Sequence, residues 1–177
     1  MSVTTQIVLV TFLALCVLED VRSRRIPNRL AAAAMLGAMA LATAHGGLPG
    51  LAASALGALI AGTVLFAPFA LGGVGAGDVK MMAAVGAFVG PRLALASLLV
   101  GMMLGGLAAV LHLASRGRLV EKLLTTLAIL RAAVATRSVA PLRLVSSDPG
   151  AVTLPYSLPL GLGTVLATLL CRGTEVP

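Results

Sequence analysis

Six apolar runs, each near the length that crosses a bilayer, follow one another along this chain with little between them. A helix rises 1.5 Å per residue, so about 20 residues cover a hydrocarbon core of roughly 30 Å. The runs fall at about 3–21, 27–45, 48–71, 78–90, 93–114 and 154–171. Read as one helix, residues 79–114 would be about 54 Å long, too much for a single crossing. The "GPR" of Gly90 to Arg92 divides them, because Gly90 ends one helix well and Pro91 opens the next. Composition agrees, with 59% hydrophobic and 11% charged residues, where soluble chains carry roughly a quarter charged. The expected fold class is all-α: one membrane-embedded domain over residues 1–177 with six transmembrane helices. Abundant Gly and Ala with only 3% aromatics favours helices that meet through small faces, as at Gly101 and Gly105.

A formal charge of +7 raises the question of nucleic acid, but the basic residues sit in connectors rather than on a soluble patch. They read as topology signals. Arg22, Arg24, Arg25 and Arg29 follow the first run, Lys80 the third, and Arg116, Arg118, Lys122, Arg131, Arg137 and Arg143 the fifth. Those connectors share one parity; of the 13 basic residues, only Arg92 and Arg172 fall on the other side. The positive-inside rule makes the shared side cytoplasmic and puts both termini outside. A re-entrant fourth run would send the basic residues of 116–143 outward, which favours six crossings. No Lys or Arg precedes the first run, and Leu15 stands where a lipoprotein site before Cys16 needs a small residue. The first run is therefore expected to remain in the protein.

The long connector, 115–153, contains "LVEKLLTTLAILRAAVATRSV", with Val120, Leu123, Leu124, Leu127, Leu130 and Val134 near helical spacing. Arg131 and Arg137 interrupt it, so a helix lying along the cytoplasmic interface is expected rather than a span. "SSDPG", Ser146 to Gly150, is a turn that closes this loop.

Acidic residues are few: Glu19, Asp20, Asp78, Glu121, Asp148 and Glu175. The first three lie at cytoplasmic ends of apolar helices, where an ionisable group is costly and so points to function. Asp20 closes the first run and Asp78 opens the fourth from the same face, so the two carboxylates can meet. Two such groups in proximity cannot both ionise easily and share a proton, an arrangement that activates water for peptide hydrolysis. Gly72, Gly73, Gly75 and Gly77 clear side chains from the backbone before Asp78, letting an extended peptide approach. A plainer role is also open: Asp78 can cap a helix beginning at Val79. Phosphate loops fail, because Asp78 follows the GxxxxG spacing where lysine is needed and GxGxxG breaks at Lys80. Cys16 and Cys171 form no CxxC or metal-spaced set and read as packed thiols, with no zinc, and no other cofactor is implied.

With these residues in view, "EDVRSRRIPN" (19–28) and "GAGDVKMMAAVGAFVGP" (75–91) resemble the two signature regions of the type IV prepilin peptidases. That family comprises intramembrane aspartic proteases of the GxGD class. Asp20 is followed by Ile26, Pro27 and Asn28, and Gly75, Ala76, Gly77 and Asp78 by Val79 and Lys80, as in the family pattern. "LPYSLPLGLG" at 154–163 is similar to the family's proline-containing approach to the last helix. The resemblance implies that Asp20 and Asp78 are the catalytic dyad of a bacterial inner-membrane aspartic endopeptidase. Its substrate would be a prepilin, cut at the cytoplasmic face, and its partners the bilayer and the pilus-assembly machinery, with no nucleic acid. Gly75, Gly77 and Lys80 are candidate substrate-binding residues. Larger members carry an insert with paired CxxC motifs and methylate the new N-terminus. This chain lacks those cysteines and resembles the short, peptidase-only form of the tight-adherence (Flp) pili.

Glu19 points about 100° from Asp20 on a helix and is expected to face headgroups. Asn28 is expected to cap or bond within its loop, and Met81 and Met82 to pack between helices. His45 and His112 stand alone. Two rival classes remain: a small proton- or ion-coupled transporter using the paired carboxylates, and a structural subunit of a secretion assembly. Against the transporter, both acids lie at helix ends rather than at mid-bilayer.

Overall fold

In a computed structural model, the described residues are 1–136 and 156–171, and they are helical throughout with short turns between. The helices are α1 (Val3–Ser23), α2 (Asn28–Ala70), α3 (Ala76–Ser115), α4 (Leu119–Thr136) and α5 (Ser157–Cys171). The expected turn at Ser146–Gly150, and Arg137, Arg143, Asp148, Arg172 and Glu175, lie outside the described residues. Three helices, α1, α2 and α3, are long and apolar enough to cross a membrane. At 15 residues α5 is apolar but shorter than the run that contains it. Large apolar side chains are exposed all round, among them Leu36, Leu59, Leu99, Met103 and Leu111. A mean hydropathy of +1.06 makes that surface one for lipid rather than water. This is a membrane protein.

Helices α2 and α3 are each broken at one glycine. Gly47 (φ 59°, ψ −146°) and Gly90 (φ 77°, ψ 175°) sit in backbone conformations that a Cβ makes strained, and Pro49 and Pro91 follow them. Across the first break the chain doubles back, because Gly50 lies against the Ala42 carbonyl. Eight residues along a straight helix would separate them by about 12 Å. Across the second, Gly77 lies against Ile26 while Gly105, far along the same helix, lies against Tyr156. Both contacts are at one end of the bundle, since Ser157, next to Tyr156, reaches Asp20 in the last turn of α1. The break expected at Gly90 is thus present, and the boundary between the second and third runs falls at Gly47.

The first half of α3 is the centre. Met81, Met82, Ala84 and Val85 are fully buried, as a helix apolar on every face should be when surrounded. Small residues let α2 approach it: a Cβ on Gly57 would overlap the Gly86 carbonyl, and the reverse holds too. Beside this crossing, Ser54 Oγ donates to the Ala87 carbonyl at 2.8 Å. One face of α1, carrying Leu9, Phe12, Leu13 and Cys16, covers the other side, with the Phe12 and Phe88 ring centroids 6.3 Å apart. By contrast α4 buries nothing, and the apolar residues expected to form its face are all exposed.

Candidate active site

Helix α1 ends just beyond its carboxylate. Arg24 takes a left-handed conformation (φ 51°) and its N–H bonds the Asp20 carbonyl at 2.9 Å, leaving Asp20 in the last turn. Ile26 then turns into the core, and Pro27 (φ −61°, ψ 135°) starts α2 from an extended conformation. Asp20 is partly buried, and the Ser157 hydroxyl at the start of α5 donates to its Oδ2 at 2.5 Å.

Asp78 enters differently from the sequence expectation. The helix begins at Ala76 rather than Val79, because the Gly75 carbonyl already accepts from the Asp78 N–H (3.1 Å) and the Val79 N–H (3.4 Å). Gly75 is the cap, and Asp78 is the third helical residue. From there its carboxylate lies back against Gly75, where a Cβ would stand 3.3 Å from Asp78 Oδ2. Asp78 is 8% exposed. Of the four glycines before it only Gly72 uses a left-handed conformation, in the turn that closes α2 by Gly72 N–H to the Phe69 carbonyl.

Tertiary packing brings the two segments together. A Cβ on Gly77 would stand 3.3–3.4 Å from Ile26, so the loop after Asp20 rests on the glycine next to Asp78. Lys80 Nζ donates to Asn28 Oδ1 at 2.7 Å. Asn28 therefore bonds to α3, where its own loop was expected. Cys16, one turn before Asp20 on α1, is fully buried. Thus Asp20, Asp78, Gly75, Gly77 and Lys80 occupy one end of the bundle. Glu19 is on the same turn but makes no side-chain bond to them. Chemically, two carboxylates at one end of a bundle, one nearly buried and one more open, are groups that can share a single proton and pass it to and from a water once they approach.

Sequence reasoning missed Ser157. It lies within the proline-containing segment already singled out, but a serine among apolar residues carries no local sign of its partner. A cavity of about 440 Å³ lies elsewhere, at the far end of α1 and α5 beside Leu9, Leu13, Leu93 and Val165. Among the described residues no three His, Cys, Asp or Glu side chains gather as a metal site.

A sequence model of the type IV leader peptidase family matches residues 7–110. Those residues include most of α1, all of α2, both carboxylates and most of α3. Neither the curated proteins nor the solved structures contain a match to the chain. With more than half of its length matched, including the turn after Asp20 and the start of α3 that packs on it, the chain belongs to the type IV leader peptidase family, and is a membrane peptidase of the prepilin-processing kind.

Proposed function

We propose that this peptidase is an aspartic endopeptidase in which Asp20 and Asp78 are the catalytic pair. One carboxylate takes a proton from water as it attacks the scissile carbonyl, and its partner, protonated, donates to the developing oxyanion or the leaving amine. The observation that carries this reading is the packing of the turn after Asp20 on the first turn of α3, which holds Asp78, through the Ile26–Gly77 and Asn28–Lys80 contacts. Gly75, Gly77 and Lys80 line the approach for an extended substrate. The substrate is a prepilin of the Flp type, cut on the cytoplasmic face of the inner membrane. The chain crosses six times, with both termini outside and α4 along the cytoplasmic interface. Methylation of the new N-terminus is not part of its activity, since residues 1–177 carry only two cysteines and no paired CxxC.

The test is co-expression with a Flp-type prepilin, followed by the size shift on a gel. Asp20→Asn and Asp78→Asn each abolish processing while the protein still inserts in the membrane. Normal cleavage by either variant would overturn the pair, and would return weight to a structural role.

A further inference from the structure

Ser157 is the first residue of α5, is fully buried, and donates its hydroxyl hydrogen to Asp20 across 137 positions of sequence. Such a bond exists only if α5 is seated at a fixed depth. The seating is provided by α3: a Cβ on Gly101 would come to 2.9–3.0 Å from Leu160, and one on Gly105 to 3.4 Å from the Tyr156 ring. A Cβ on Gly163 would overlap the Gly101 backbone. The helix that carries Asp78 therefore also fixes the donor that holds Asp20.

A carboxylate at a helix end turns about two side-chain bonds, and few of its orientations suit proton exchange with a partner and a water. One fixed donor removes that freedom before the substrate arrives. We infer that Ser157 is a positioning residue of the peptidase, whose hydroxyl holds Asp20 Oδ2 and leaves Oδ1 for the water and Asp78. The inference rests on the aspartate-pair reading. It does not require Ser157 to touch the substrate.

The experiment uses the full chain, purified in detergent, and a prepilin that the wild-type chain cuts. Turnover and KM are measured for Ser157→Ala, Ser157→Cys and Ser157→Thr, beside Asp20→Asn, at matched amounts of folded protein. Cysteine fills the serine site but is a weak donor, so it separates volume from hydrogen bonding. The expected result is a fall in kcat of about ten- to hundredfold for the alanine and cysteine variants. KM stays within about twofold, and threonine, which keeps the hydroxyl, recovers most of the turnover. Wild-type turnover by Ser157→Cys would reduce Ser157 to a space filler and overturn the inference. A rise in KM with kcat intact would also overturn it, as the mark of a substrate contact. Cleavage by Asp20→Asn sinks the aspartate pair itself, whereas an inactive Asp20→Asn beside an unimpaired Ser157→Cys removes only the role of Ser157.

Discussion

Lys80 and Asn28 are 52 positions apart in the chain and 2.7 Å apart in space. Their bond is open to solvent, so its net contribution to stability is about 1 kcal/mol or less. Its importance is register: it ties the turn after Asp20 to the first turn of α3, beside Ile26 on Gly77. Lys80→Met and Asn28→Ala should therefore each move the melting temperature in detergent by no more than about 2–4 °C. Each should slow prepilin processing several-fold more than that small loss explains. Because both remove the same bond, the double variant should be no slower than the worse single one. Additive losses, read from initial rates, would show that the two side chains act separately. The two motifs were legible in the sequence one at a time. Their connection was not, because a side-chain oxygen at a helix start ordinarily accepts from backbone N–H groups nearby, and nothing local favours a lysine in another helix.

At the scale of elements, the bundle depends on close backbone approach. The lipid surrounding these helices is as apolar as their core, so burial of apolar area does little to hold one against another, and contact must come from packing. The crossing of α2 on α3 at Gly57 and Gly86 leaves no room for any Cβ. Gly57→Leu or Gly86→Leu should cost about 1–3 kcal/mol or more through forced separation of the helices. Gly106→Ala, whose Cβ would meet nothing within 4 Å, should be neutral or slightly stabilising in the same helix. Thermal unfolding of the three variants in one detergent checks the contrast. Equal stability of all three would mean that the crossing is not a tight one. Here the abundance of Gly and Ala was a fair guide to the kind of packing, and Gly90 before Pro91 a fair guide to where α3 breaks. Which glycine faces which could not be read, since neighbouring glycines such as Gly105 and Gly106 look alike in sequence and differ only in what stands opposite.

For the whole molecule, the alternation of helix directions puts Ser23 and Ser115 at the end that holds the carboxylates and Gly46 at the other. In the proposed arrangement of six crossings, that is a difference of membrane face. With Cys171 replaced by serine and Cys16 left in its buried site, Gly46→Cys should react with an impermeant thiol reagent on intact cells. Ser23→Cys and Ser115→Cys should react only after the cells are opened. Outside labelling at position 115 would contradict six crossings. What the sequence determined by itself is the set of local properties: runs long and apolar enough to be helices in lipid, the points where glycine and proline break them, and two aspartates at ends of the same parity. These follow from hydropathy and backbone preference within a few residues. Only the tertiary structure decided that the first half of α3 is the buried centre, that α3 begins early enough to make Asp78 its third residue, and that Asn28 and Ser157 reach across to Lys80 and Asp20. The reason is physical. In an apolar solvent an inward face and a lipid-facing one carry the same residues, so hydropathy cannot orient a helix, and partners distant in sequence are chosen by how the backbones fit.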